Sequence, residues 1–240
     1  AQSFDPWIQG WKDCFDPNTK LLTGRWVEAN DWQGTFGVSH DIKGLAALMG
    51  GADELAKKLN YAFEQGAASH FVYTYNKGYV SYANQPGCSN AHVFNHADHP
   101  WLSQYWVRRV SQQAYGGTNP NIGYGGHDED QGQMGGVSAL MKLGLFSLRG
   151  TCSQEPVYEI TAPEFDDITI SLDSRYYAGK TFRIKSYNNS TANCYIQRAK
   201  LNGKTLDDCW FYHRDFAKGG LLELWLGSKP NKAWGKSPVQ

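Results

Sequence analysis

At Gly150 the hydrophobic pattern changes period, so the chain must pack helices against one another first and strands afterwards. From Trp7 to about Gly150, apolar residues recur at helical spacing, as in Ile42, Leu45, Ala46 and Leu48, then Leu55, Leu59, Ala62 and Phe63. Beyond Gly150 they form short β-branched and aromatic runs: Val157 to Thr161, Ile168 to Leu172, Thr181 to Ile184, Cys194 to Ala199 and Leu221 to Trp225. Several of these alternate with period two, and Tyr177-Ala178-Gly179-Lys180, Asn202-Gly203-Lys204 and Lys218-Gly219-Gly220 mark turns between them. The expected arrangement is α then β: a helical part over residues 1–150 and a β-sandwich, or part of one, over residues 151–240.

Within the helical part, Gly50-Gly51 ends one helix and Ala52-Asp53-Glu54 opens the next with acids where the helix dipole favours them. The spacing predicts an antiparallel hairpin there, a third helix from about Pro100 to Tyr115, and a fourth after Asp130 through Met134, Val137, Met141 and Leu145. Residues 82–98 and 116–130 are polar, rich in Gly, Asn and His, and read as long loops, where sites tend to lie.

The 240 residues carry 23 Lys plus Arg and 23 Asp plus Glu, so no net charge draws the chain to nucleic acid or an anionic membrane. No apolar run approaches the 18 or so residues that span a bilayer, and neither nucleic acid nor membrane is expected as a partner. The N-terminus lacks the basic-then-apolar pattern of a leader, so any leader is expected to have been removed or never present. Five cysteines without CxxC spacing argue against a zinc ribbon, and their odd number leaves at least one free or joined to another chain. Asn188-Asn189-Ser190-Thr191 holds two overlapping glycosylation sequons, and an extracellular or lumenal location is expected.

Among residues able to do chemistry, Asp128-Glu129-Asp130 stands between a glycine-rich loop and a helix start, either as a solvated acidic cluster or as a catalytic or metal-binding pair. Glu28 lies between Trp26 and Trp32, where an apolar setting would raise a carboxyl pKa towards that of a general acid; an exposed loop glutamate is the plainer reading. Aromatic rings near carboxylates also line sugar pockets. His92, His96 and His99 form a candidate zinc cluster, though they share a face only if their segment is helical. Gly123-Tyr124-Gly125-Gly126 lacks the preceding strand of a phosphate loop, and Ser39-His40-Asp41 has triad residue types without triad geometry.

Six ordered motifs then run nearly end to end. They are Trp11-Lys12-Asp13-Cys14-Phe15-Asp16-Pro17 with Leu22-Thr23-Gly24-Arg25; Glu28-Ala29-Asn30-Asp31-Trp32-Gln33; His40-Asp41-Ile42-Lys43-Gly44-Leu45 with Met49-Gly50-Gly51; Asn84-Gln85-Pro86 leading to Asn95 and Pro100-Trp101; Asp128-Glu129-Asp130-Gln131-Gly132-Gln133-Met134; and a closing β segment of Tyr195-Ile196-Gln197, Leu201-Asn202-Gly203-Lys204 and Gly227-Ser228-Lys229-Pro230-Asn231. Together they resemble the C-terminal part of the calcium-dependent exo-α-mannosidases of glycoside hydrolase family 92.

That resemblance implies half of an (α/α)6 barrel followed by a C-terminal antiparallel β-sandwich-like domain. Family members are longer and carry an N-terminal β-sandwich, so it also implies a fragment, a product of a cleaved precursor, or a chain tightly partnered with the missing half or another protein. The implied reaction is inverting hydrolysis of terminal α-mannosidic bonds in a mannose-containing glycan. Glu28 would be the acid and Asp130, with Asp128 beside it, would activate water, the pair standing about 6.5–9.5 Å apart. Trp32, Asn30 and Gln33 would contact the sugar, and Asn84 and Gln85 would hold a calcium ion that binds two sugar hydroxyls.

The motifs also depart from the family's pattern. Gln85 stands where glutamate is usual, Cys88-Ser89 where a histidine pair is usual, Gly34 in place of an aromatic residue, and Gly135-Gly136-Val137 in place of Ser-Ala-Trp. The loop between Arg25 and Glu28 is shortened. These changes imply weaker calcium binding and altered sugar contacts, and they define an alternative: a catalytically inactive relative serving as a glycan-binding or structural assembly subunit.

Overall fold

The computed structural model describes residues 10–24, 26–73, 76–119, 130–149 and 153–236. Two short antiparallel strands, β1 (Phe15–Asp16) and β2 (Leu21–Leu22), precede the α-helices, and side-chain caps set where the first of those helices begin. Asn30 accepts a hydrogen bond from the Gln33 N–H and opens α1 (Asp31–Thr35); Asp41 accepts from the Gly44 N–H and opens α2 (Ile42–Met49). A left-handed Gly50 ends α2, and α3 (Ala52–Gly66) packs back against it as the expected hairpin. The next helices are α4 (Pro100–Gln113), with proline in its first turn, and α5 (Gln133–Leu143). Their apolar faces share one core in which the Phe63 ring lies 5.1 Å from Trp106, 5.8 Å from Phe94 and 5.9 Å from Phe71.

Two features of the helical part differ from the sequence expectation. The last of these helices stops at Gly144, and Leu145 becomes part of β3 (Leu145–Phe146), its side chain buried with the β core instead of the helical one. Residues 82–98 are no exposed loop. They form tight 3-10 turns at Gln85–Gly87 and Asn90–His96, with every residue from Asn90 to Asn95 buried. Some polar groups here are matched internally: the Ala91 N–H donates to the Tyr82 hydroxyl at 2.9 Å, and Asn95 and His96 reach a buried carboxylate, whereas the Asn90 side-chain amide and both His92 ring nitrogens are buried without a hydrogen-bond partner among the described residues. A Cβ on Gly87 would stand 1.8 Å from the Ser81 carbonyl oxygen, so only glycine lets these two backbones touch.

The β part comprises β4 (Val157–Ile160), β5 (Asp167–Ser171), β6 (Thr181–Tyr187), β7 (Tyr195–Leu201), β8 (Lys204–Leu206), β9 (Trp210–Tyr212) and β10 (Gly220–Gly227), with the short helix α6 (His213–Ala217) before β10. One sheet has the order β5-β6-β10-β7-β8 and the other β3-β4-β9. Buried residues alternate along β6 and β10, and the two sheets share a core in which Phe182 stacks on Phe211 at 5.6 Å. The antiparallel expectation needs one correction. After the β7–β8 hairpin and β9, α6 returns the chain so that β10 enters between β6 and β7, parallel to β6, which makes the larger sheet mixed.

Buried polar bridges join the helical and β parts. The Arg108 guanidinium, 4% exposed, donates to the carbonyls of Pro163 (2.6 Å) and Ser190 (2.9 Å) and to Asn189 Oδ1 (3.0 Å); Gln104 Oε1 accepts from the Ile196 N–H at 2.8 Å. On β4, Glu159 accepts from Asn95 Nδ2 (2.9 Å), His96 Nε2 (3.0 Å) and the Leu148 N–H (2.9 Å). Burial pushes this carboxyl up, but the charge and hydrogen bond of His96, with help from His92 and Asn95, outweigh it and hold its pKa below the ordinary range. Burial also dominates at His92, stacked 3.8 Å from Phe146: it pulls the imidazole down to about 4, Glu159 opposing and His96 reinforcing.

Acid should therefore destabilise the fold in two overlapping stages. The unfolded chain protonates His92 before the folded one does, so stability falls as pH drops from about 6.5 and levels off below about 4, a loss on the order of 3 kcal/mol. Glu159 adds a loss at still lower pH, as its depressed folded pKa is reached. Denaturant titrations across this range should show the decline, and His92→Leu should flatten its upper part; an unaltered slope in the variant would contradict a neutral, buried His92. Gly87→Ala should cost at least about 2 kcal/mol by driving two backbones apart, whereas Gly136→Ala, whose Cβ meets nothing within 4 Å on α5, should be neutral or stabilising. Equal stabilities for the two variants would refute the close contact.

Candidate active site

Three separate segments meet in one hydrogen-bonded line. Glu28 precedes α1, with the buried Ala29 anchoring the chain behind it. The Asn84 side chain, 5% exposed, donates from Nδ2 to the Glu28 carbonyl at 3.0 Å and to Glu28 Oε2 at 3.3 Å. Its Oδ1 accepts from the Gln85 N–H at 2.9 Å, and Gln85 Nε2 in turn donates to Asp130 Oδ2 at 2.6 Å. Glu28, Asn84, Gln85 and Asp130, the expected acid, metal ligands and base, thus lie side by side. Both carboxylates sit on left-handed backbone, φ 56° at Glu28 and 55° at Asp130, where an L-residue costs about 1–2 kcal/mol. Such outliers concentrate at functional positions because the surroundings must hold them. Asp128 lies outside the described residues.

Glu28 is exposed, and the enclosure expected from Trp26 and Trp32 is not built around it. Trp26 instead lies on Gly34, where a Cβ would come within 2.5 Å of the indole, and donates from Nε1 to Asp31 Oδ1 at 2.8 Å. Glycine at position 34 thus leaves the room that Trp26 fills. The Trp32 ring packs 5.0 Å from Tyr79 and 5.8 Å from Tyr61, with Lys58 Nζ 4.4 Å above it. Asn30 and Gln33 brace the neighbouring loop, Asn30 Nδ2 donating to the Gly78 carbonyl at 2.9 Å and Gln33 Nε2 to that of Lys77. Trp26, Asn30, Asp31, Trp32 and Asn76 line a cavity of about 560 Å³ next to the Glu28 segment; Gln33 is buried and does not line it.

The remaining candidates disperse. His92 is buried against Phe146, His96 binds Glu159, and His99 donates from Nδ1 to the Ala97 carbonyl at 2.6 Å, so the three do not converge as zinc ligands. Asp41 caps α2 while His40 packs edge-on to Trp11 at 6.3 Å, which leaves no triad. Cys88 is buried 3.6 Å from Met134 Sδ and 3.8 Å from the Tyr115 hydroxyl; burial, aided by the charge of Asp130, raises the thiol to about 11 and keeps it neutral. Cys14, Cys88, Cys194 and Cys209 are all free thiols.

Sequence reasoning missed that Gln85 would touch Asp130. The turn residues Asn84-Gln85-Pro86-Gly87 were the available signal, because Asn ahead of Pro-Gly favours a tight turn that projects its neighbours. The same geometry bears on calcium. Asn84 accepts from the Gln85 N–H and turns its amide nitrogen to Glu28, and Gln85 turns its amide nitrogen to Asp130, so each carboxylate faces an N–H donor where a cation would sit. Among the described residues no three His, Cys, Asp or Glu side chains are grouped to hold a metal. Calcium takes six to eight oxygens, carboxylates prominent among them, and this donor set does not fit it.

Known proteins share this fold. The family model of the glycosyl hydrolase family 92 catalytic domain matches residues 8–228. An uncharacterized secreted glycosidase of Arthroderma benhamiae is 31% identical over 210 residues, covering 87% of this chain and 24% of that protein. Among solved structures, a family GH92 inverting mannosidase from Bacteroides thetaiotaomicron is similar with a TM-score of 0.77 and 26% identity, over 98% of this chain and 35% of its own. A GH92 α-mannosidase from the same organism, in complex with mannoimidazole, shares the fold with a TM-score of 0.78 and 22% identity, over 95% of this chain and 32% of its own. The chain thus spans about a quarter of the curated relative and about a third of each mannosidase. Because that family model matches residues 8–228 of the 240, the chain belongs to glycosyl hydrolase family 92.

Proposed function

We propose that the protein containing this chain is a glycoside hydrolase that cleaves terminal α-mannosidic bonds with inversion. The observation that carries this reading is the line joining Glu28, through Asn84 and Gln85, to Asp130. Glu28 gives its proton to the leaving oxygen as the bond from that oxygen to the anomeric carbon breaks. A water molecule attacks the same carbon from the opposite face, and Asp130, with Asp128 as its neighbour in sequence, takes up the water's proton. The products are the free sugar and the released alcohol, and solvent restores both carboxyls to their starting states. The cavity beside Glu28, with Trp26 and Trp32 in its walls, suits the apolar face of a further sugar unit.

The likeness to mannosidases over nearly the whole chain supports reading the helical part as half of an (α/α)6 barrel, completed by residues outside this chain, and the β part as sandwich-like. The secreted relative supports an extracellular or lumenal location, and among the described residues no helix is long and apolar enough to cross a membrane.

Leaving-group dependence separates the two carboxyl roles in the complete native protein. Glu28→Gln should lower kcat on α-linked mannobiose at least about 10²-fold, and much less on an aryl mannoside whose leaving group needs no proton. Asp130→Asn should lower both rates by a similar factor. Wild-type rates for either variant, or equal losses on both substrates in Glu28→Gln, would overturn the assignment.

A further inference from the structure

We propose that Gln85 is a positioning residue that holds Asp130 in register with Glu28 by hydrogen bonding, and that the site works without calcium. This rests on the hydrolase reading above. Gln85 is exposed, yet its amide meets Asp130 Oδ2 at 2.6 Å, a short contact for a nitrogen donor to a carboxylate. Its backbone is fixed at the same time, because Asn84 Oδ1 accepts from the Gln85 N–H at 2.9 Å while Asn84 Nδ2 is fastened to Glu28. The close approach of Gly87 to Ser81 anchors the turn from behind. Two amides therefore stand between two carboxylates, each presenting N–H groups to an acid.

The charge arithmetic of that arrangement excludes a simple exchange of Gln85 for its acid. A carboxylate at position 85, in contact with Asp130, would place two anions at hydrogen-bond distance, which only a shared proton or a bound cation relieves. The amide removes the need for either. It also leaves the left-handed Asp130, just before α5, tethered by one neutral donor in place of a set of metal bonds.

The test uses the complete native protein as wild type, Gln85→Glu and Gln85→Ala, each stripped with a chelator and then supplied with calcium. Calorimetry measures calcium binding, and kcat and KM are measured on α-linked mannobiose in both media. Wild-type kcat should agree within about twofold with and without calcium. Gln85→Glu should bind one more calcium than wild type and lose at least about tenfold in kcat under chelation, regained with calcium. Gln85→Ala should lose at least about tenfold in kcat in both media with KM within about threefold, the split expected when a base is misaligned and binding is not. Loss of wild-type turnover on chelation, unchanged kcat in Gln85→Ala, or no added calcium in Gln85→Glu would each overturn the proposal. Absence of wild-type turnover in both media would dispose of the hydrolase reading instead. Calorimetry alone would then decide whether the amide removes the need for a cation: extra calcium in Gln85→Glu upholds it and none refutes it.

Discussion

Burying a polar segment is costly wherever its hydrogen-bonding groups lack partners, and the rest of this structure follows from the partners that the two ends of residues 84–96 find, the Asn90 side-chain amide and both His92 ring nitrogens between them being buried without one among the described residues. At one end of the segment Asn95 and His96 bind the interior carboxylate of Glu159, which also takes the Leu148 N–H, so a β4 side chain fixes both the 3-10 turn and the passage out of α5. At the other end Asn84 and Gln85 bind Glu28 and Asp130. The segment is therefore a polar spine, tied to the β core at its base and to two candidate catalytic groups at its tip.

This design bears on two of the ten left-handed residues other than glycine among the described residues. Glu28 and Asp130 occupy left-handed backbone, an arrangement that exposed loops would relax unless held. Asn84 holds the first through both its carbonyl and its carboxylate, and Gln85 holds the second through one short contact. Because Asn84 and Gln85 are also bonded to each other, one chain of hydrogen bonds joins the two acids. Such a coupled pair suits a reaction in which one group must deliver a proton as the other removes one. The neighbouring loop is secured separately by Asn30 and Gln33, whose contribution is to the shape of the cavity wall as well as to the cap of α1.

Much of this was legible in the sequence because the signals were local. Gly50, Asp41 and Pro100 mark helix ends through their own backbone chemistry, and the alternation in Thr181–Tyr187 and Gly220–Gly227 states which face is buried. The Asn202-Gly203 turn joins β7 to β8 with both residues left-handed, as its composition requires. What was illegible depended on distant partners. Residues 90–96 read as a loop because nothing nearby reveals that Glu159 awaits them, and β10 reads as one more antiparallel strand because its parallel pairing with β6 is decided by the return through α6. Within the site, the structure places Glu28, Asn84, Gln85 and Asp130 together, but spacing carries no information on donor direction. That is why Asn84 and Gln85 read as metal ligands when their amides point at acids.

The central claim is that Glu28 and Asp130 act on opposite faces of one sugar ring. Proton NMR of the complete native protein incubated with α-linked mannobiose tests it most directly, by recording which anomer of mannose appears before mutarotation scrambles the product. β-Mannose as the first product is the expected result, because water delivered opposite the leaving group inverts the anomeric centre. α-Mannose as the first product, or no release of mannose from the intact protein, would contradict the account.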